Sequence, residues 1–404
     1  MPRAPSGSST ALLVLAYLAF VSLGLPDAIL GIAWPSLRDT FELPRALLGA
    51  PLAISATAYF LSGMFAGRLI QRLGIGLLLA WSTGLVAVGV LVFSGAPAFA
   101  VFLLATPVVG FGSGAIDAAL NTYAARNFSP KHMSWLHAAY AAGATAGPTI
   151  MTAVLARGAS WRVGYAVIGV ILAALCVAFA AARRVWGAAS PARQVVLDAP
   201  GNVGPMPLEE RPLSGRDALR SGRVWLQIAI FFLYTGIEVA AGQWSYTLLT
   251  EERGLDEVAA GTWVALYWGG VLAGRVVLGF VVERVGQVRL LRAATVGVGL
   301  FAVIFALPGF ESGVAALPLL SFSLASIYPG LMAETPRRVG DRLAPHAVGF
   351  QVSAATLGLF VIPSAAGLLS ERFGLGVIAP MIAGCAVVLI LLHERLVAVA
   401  DRGT

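Results

Sequence analysis

Charge is scarce in this chain. Of its 404 residues only 12% are Asp, Glu, Lys or Arg, whereas an ordinary soluble domain carries about 25%. That excludes a large soluble core, which would need far more charge to cover its surface. Lysine is almost missing, with Lys131 alone against 26 arginines. Two cysteines, Cys176 and Cys385, both in apolar stretches, exclude a disulfide framework. With only four histidines and no His/Cys cluster at ligand spacing, no metal is expected. No phosphate-binding Walker loop and no Ser/His/Asp elbow occurs, so neither ATP-driven transport nor hydrolysis has support; the chain reads as no enzyme, and no cofactor is expected. The glycine-rich "GFGSGAID" lies within an apolar stretch with no strand before it. It marks close helix packing rather than a dinucleotide site.

What is abundant is hydrocarbon, at 58% of residues. Twelve apolar stretches, each near the roughly 20 residues that cross a bilayer, fall at about 9–34, 47–70, 75–93, 97–124, 134–156, 162–183, 223–249, 259–282, 288–308, 312–334, 346–369 and 374–396. In lipid a backbone must satisfy its own hydrogen bonds, and runs this long are not the alternating strands of a barrel. The expected fold is therefore all-α and integral to the membrane, with the lipid bilayer as a partner. The net charge of +7 is dealt out between spans rather than gathered on one face, so no nucleic-acid partner is implied. Alternate connections hold 20 basic residues against 6, with Arg275 inside a span. The positive-inside rule then places both termini and the long central loop in the cytoplasm. The apolar N-terminus resembles a signal peptide but continues as a span, and is read as a retained first helix. The Arg bias and Ala/Gly richness suggest a GC-rich bacterial genome, hence the cytoplasmic (inner) membrane. A monomer is expected.

The spans divide in two. Residues 185–222, rich in Pro, Gly, Ala and Arg, read as a cytoplasmic linker between six-helix bundles at 1–184 and 223–404. The halves share a pattern. Asp27-x3-Gly31 matches Glu238-x3-Gly242 at an offset of 211, "GRLIQRLG" (67–74) matches "GFVVERVG" (279–286) at 212, and Gly143-x4-Pro148 matches Gly358-x4-Pro363 at 215. A slowly drifting offset is a duplication signal, and parallel six-span repeats with a site between them are a transporter architecture.

With Gly67, Arg72 and Gly74 in one copy, and Gly279, Glu283, Arg284, Gly286 and Arg289 in the other, the chain resembles the major facilitator superfamily. These residues are similar to that family's cytoplasmic loop, in which a carboxylate and arginines tie the domains together when the inside is closed. The resemblance assigns gating to Arg72, Glu283 and Arg284; Gln71 stands where the first copy's acid is expected. The segments "YTGIEVAAGQW", "GAIDAALNTYAARN", "SWLHAAYAAGATAGP" and "SFSLASIYPGLMAE" are similar to the fucose-permease-like branch of sugar symporters. That branch carries functional carboxylates in spans one and four, where Asp27 and Asp117 stand here.

Four ionisable groups sit deep in spans: Asp27, Asp117, Glu238 and Arg275. Charge at that depth faces the protein interior or a wet cavity, because lipid exposure is too costly. The three acids are the candidates for proton coupling, against the alternative of structural pairing. A carboxyl group in apolar surroundings binds a proton more readily than in water, which suits a coupling proton in preference to sodium. Pro26 before Asp27 weakens the helix there. Arg275, a turn from the Gly279 loop, is read as gating through a pairing with a carbonyl or an acid. His137, near the start of the fifth span, suits either a proton relay or a neutral hydrogen-bonding role. Asn121, Trp34, Tyr140, Gln243, Trp244, Tyr267, Tyr328 and Gln351 are the candidate substrate contacts, since sugar hydroxyls need amides and the C–H face needs a flat ring. The expected function is a secondary active transporter coupling protons to uptake of a sugar or similar small polar solute. The alternative is a proton-driven efflux antiporter for drugs or hydrophobic metabolites.

Overall fold

An apolar segment that cannot hydrogen-bond to its surroundings closes its own i to i−4 bonds, and every long element of the chain does so. The computed structural model describes residues 8–128, 130–188, 215–307, 311–340 and 342–401, and contains no strand among them. Fifteen α-helices follow in order: α1 (Ser8–Asp27), α2 (Ile29–Phe41), α3 (Gly49–Gly95), α4 (Phe99–Asn127), α5 (Pro130–Leu155), α6 (Trp161–Ala181), α7 (Arg183–Ala188), α8 (Gly215–Leu219), α9 (Gly222–Thr247), α10 (Glu257–Val285), α11 (Gln287–Ala306), α12 (Ala316–Leu324), α13 (Ile327–Val339), α14 (Ala344–Phe373) and α15 (Ile378–Asp401). Most of the interval 185–222 lies outside the described residues; α7 ends in its first turn and α8 lies near its end.

Nine segments among the described residues are long and apolar enough to cross a membrane, one of them the 51-residue Arg45–Gly95. That segment folds back on itself at Gly74, whose φ of 71° and ψ of 160° are not helical. It therefore crosses twice. Helices α5 and α10, with 26 and 29 residues, reach about 39 and 43 Å at 1.5 Å per residue, enough to span as well. The membrane-spanning all-α architecture follows, in two pseudo-symmetric bundles. Gly286, which stands where Gly74 does in the other half, has the same backbone (φ 85°, ψ 148°), a region closed to residues with a Cβ. The duplicated loop thus turns the same way in both halves.

Two spans are broken rather than straight. The first is split between α1 and α2 at Ala28, directly after Pro26-Asp27. The tenth is split between α12 and α13 at Ala325 and Ser326. The seventh overruns its expected end in a π-helical turn from Leu248 to Glu252. Close crossings use missing side chains: a Cβ on Gly24 would collide with the Tyr140 carbonyl, on Gly143 with that of Val21, and on Gly147 with that of Leu25. These seat α1 against α5 at backbone distance.

The halves meet along three pairs: α2 on α9, α5 on α10, and α3 on α14. We call the end holding residues 42–48 and 250–256 the distal face, and the end holding the first residues of α1 and the last of α15 the terminal face.

Candidate functional site

The break in the first span creates the site. Pro26 has no N–H to give, and the turn at Ala28 releases the Asp27 carbonyl from helical pairing. Gln243 of α9, from the other half, takes it with an Nε2 donation at 3.0 Å. The Asp27 carboxylate accepts from the Tyr140 hydroxyl of α5 at 2.9 Å. Asp27 is exposed although it sits mid-span between α5 and α9. Asp117 of α4 accepts from Asn121 Nδ2, one turn on, at 2.9 Å, and Tyr59 of α3 approaches the same carboxylate. The Asp27 and Asp117 carboxyls are near enough to act on one another electrostatically.

The C-terminal half contributes the opposite wall. Glu238, 8% exposed, accepts from the Tyr234 hydroxyl at 2.7 Å, while its backbone carbonyl accepts from Tyr267 at 2.8 Å. Arg275 of α10 donates to the His137 carbonyl across the interface at 2.9 Å. Its guanidinium lies 5.6 Å from the centre of the Tyr140 ring and acts on Glu238 through its charge. An electrostatically linked row thus runs Asp27, Tyr140, Arg275, Glu238 across the interface, joined in turn by a hydrogen bond, a cation–ring contact and charge. With Asp117 acting on Asp27 from beside it, three carboxyl groups surround one guanidinium, so full ionisation leaves the region negative.

Of the candidate substrate contacts, Asn121, Tyr140, Gln243 and Tyr328 belong to this interior, with Tyr328 packed 5.3 Å from Phe231 and 6.2 Å from Tyr234. The other four have no free surface, which corrects their assignment as lining residues in this conformation. Trp34 is fully buried against Phe99. Trp244 is fully buried and donates its Nε1 to the Pro363 carbonyl at 2.9 Å. Tyr267 spends its hydroxyl on the Glu238 backbone. Gln351 lies in a closed cluster with Gln227 and Thr335, its Nε2 donating at 2.7 and 3.0 Å. Aromatic and amide residue types suit packing as well as solute contact, and only their neighbours decide.

The two faces differ. On the distal face Glu251 binds both Arg38 at 3.0 Å and Arg45 at 3.3 Å, and the Ala46 amide donates to Glu371 at 3.2 Å. A Cβ on Gly31 would collide with the Gln243 backbone, and one on Gly49 with Ser364. That end is closed by ion pairs and by backbone contact. On the terminal face Arg72, Glu283 and Arg284 are exposed and form no ion pair among the described residues. A Cβ on Gly63, Gly67 or Gly349 would meet nothing within 4 Å. The latch expected from the duplicated loop is therefore disengaged here. The distal ion pairs, Tyr59 and Tyr234 escaped the sequence reading. Tyr234-x3-Glu238 has the one-turn spacing that could have revealed the last of them.

Known proteins fit this geometry. The family model for the Major Facilitator Superfamily matches residues 16–363. A curated relative, Bypass of stop codon protein 6 of Saccharomyces cerevisiae, is 24% identical over 381 residues, covering 88% of this chain and 76% of that protein. Among solved structures, the nucleoside transporter NupG superimposes with a TM-score of 0.76 at 14% identity, over 96% of this chain and 100% of that one. The transporter FucP in its outward conformation gives 0.63 at 15% identity, over 96% and 99%. The E. coli fucose:proton symporter FucP gives the same score and identity over 97% and 99%. With its helical bundles, its membrane-spanning segments and a family match over most of its length, this chain belongs to the major facilitator superfamily of membrane transporters.

Proposed function

We propose that the protein takes up a sugar or similar small polar solute together with a proton, by alternating access, across a bacterial cytoplasmic membrane. In this reading the terminal face is cytoplasmic, residues 185–222 link the halves there, and the chain acts as a monomer. The observation that carries the proposal is the electrostatically linked row from Asp27 through Tyr140 and Arg275 to Glu238. Its surplus of carboxyl groups between spanning helices favours taking up a cation, because unbalanced negative charge set apart from bulk water is costly. A proton needs only one oxygen, whereas a metal cation needs several converging on it. Amides and hydroxyls at Asn121, Tyr140 and Tyr328 suit a hydroxylated solute better than a hydrophobic drug, which favours uptake over the efflux alternative. The structurally similar fucose and nucleoside transporters indicate which solutes to try first.

The test begins with thermal stabilisation of the purified protein by fucose, other sugars and nucleosides, and continues with the stabilising solute in proteoliposomes. Asp27→Asn retains size and hydrogen bonding but removes the titratable proton. It is expected to abolish accumulation driven by a pH gradient while leaving counterflow exchange. Gradient-driven accumulation equal to wild type, per folded protein, defeats the coupling role.

A further inference from the structure

A cavity lies outside the transport path. It has a volume of about 610 Å³ and opens on the terminal face of the C-terminal half, between the start of α9, the end of α13 and the last turns of α15. Three arginines line it, one from each helix: Arg223, Arg338 and Arg395. Arg223 is held rigidly, donating to the Arg338 carbonyl at 3.2 Å and to the Val399 carbonyl at 3.1 Å. Arg338 is only 4% exposed, and its Nη1 has no hydrogen-bond partner. An unpaired buried guanidinium nitrogen is costly, and its cost is removed by an anion. Of the carboxylates nearby, Glu394 pairs with Arg292 at 2.9 Å, and Glu334 pairs with Arg337 at 3.4 Å while acting on Arg338 through its charge without bonding to its Nη1. Arg395 is exposed at the rim.

The surroundings say what kind of anion. The cavity sits where α9 enters and α13 leaves the apolar layer, which is headgroup depth. Trp225 at its edge is 54% exposed and donates its indole N–H to the Leu219 carbonyl, the posture of an aromatic at a membrane interface. On α15, Leu391 and Val388 lie four and seven residues before Arg395, hence on the same face, and are 64% and 45% exposed. They form an apolar track running from the arginines toward the bilayer interior. A free phosphate would use the arginines alone; a lipid uses arginines and track together.

We propose that this cavity binds the phosphate of an anionic phospholipid, with Arg223, Arg338 and Arg395 on the headgroup and the Leu391 face of α15 along an acyl chain. Basic pockets between spanning helices are suited to such headgroups. The site is separate from the transport path, so it stands or falls independently of the transported solute.

The test is native mass spectrometry of the full-length protein in detergent, titrated with phosphatidylglycerol, cardiolipin or phosphatidylcholine, with thermal stability read in parallel. Anionic lipids are expected to remain bound where phosphatidylcholine is lost. Arg395→Gln and Arg223→Gln are each expected to weaken retention by about fivefold, the effect of one interfacial charge. Arg68→Gln, an exposed arginine near the same face in the other half, is expected to change nothing. Because Arg338 is buried and its loss threatens folding, the exposed Arg395 carries the decision. Equal retention of phosphatidylcholine, or undiminished retention by folded Arg395→Gln protein, overturns the proposal. Stabilisation by inorganic phosphate alone that matches the lipids assigns the arginines to a soluble anion and overturns the lipid assignment.

Discussion

Replacing Glu251 by Gln tests what keeps the distal face shut. Glu251 is the shared anion of two ion pairs across the halves, at 3.0 Å to Arg38 and 3.3 Å to Arg45. Its side chain is 23% exposed, against 16% and 35% for the two arginines. Such half-exposed pairs contribute about 0.2–1 kcal/mol each. Losing both therefore costs about 1 kcal/mol, which is roughly a fivefold shift toward the distal-open state at 1.4 kcal/mol per factor of ten. Gln preserves the shape, so folding is expected to be retained. Spin labels at Arg157→Cys and Glu257→Cys, exposed distal positions on opposite halves, with Cys176 and Cys385 replaced by Ala, report the opening as a longer distance population. Raising salt is expected to move the wild type the same way, because screening acts on exposed pairs. A folded Glu251→Gln protein whose distance distribution matches wild type at both salt concentrations refutes an electrostatic gate.

Two further outcomes follow from other parts of the interior. Gln227→Leu removes the acceptor of two bonds, from Gln351 Nε2 at 2.7 Å and Thr335 Oγ1 at 3.0 Å, while those two keep each other as partners; at about 0.5–1.5 kcal/mol per bond it is expected to lower stability by about 1–3 kcal/mol, and an unchanged melting temperature in detergent contradicts that cluster's structural role. Arg275→Gln removes the only cation of the Asp27–Glu238 path found among the described residues. It is expected to reduce gradient-driven uptake more than tenfold with folded yield retained, and uptake within twofold of wild type excludes the residue from coupling.

The fold was legible because lipid allows an apolar run of about 20 residues little choice but helix. Asp27 was legible for a related reason: a carboxylate in such a run is costly enough to need a purpose. Gly74 and Gly286 were legible as a repeat, and their matching backbone turns give that repeat its physical meaning. Other features had no local signal. Arg38 and Glu251 are 213 residues apart; as sequence Arg38 served only to count basic charge on one side of a membrane, and Glu251 was not read at all. Trp34 and Trp244 have the residue type of a sugar-binding ring, yet both are fully buried. The break at Ala325 and Ser326 did have a signal that went unread: Pro329, four residues on, has no N–H for the Ala325 carbonyl.

Gln243 ties the distal closure to the acidic interior. Its Nε2 holds the carbonyl that the helix break frees at Asp27, and its backbone packs against Gly31, one turn farther along α2. Opening the distal face requires α2 to leave α9, and that motion must also break the Asp27 carbonyl's bond. The state of the acid and the state of the gate are then coupled through one residue. Gln243→Leu separates this coupling from stability. It loses one hydrogen bond, worth about 1 kcal/mol net. It also removes a buried Oε1 that has no partner, which relieves a penalty of about 1–3 kcal/mol. The melting temperature should therefore hardly fall. The distal-open population should rise nonetheless, and counterflow should survive while accumulation weakens, because the gate no longer responds to Asp27. If the folded variant opens and accumulates as wild type does, the Gln243 contact is mere packing, and the link between the two ends of the path lies elsewhere.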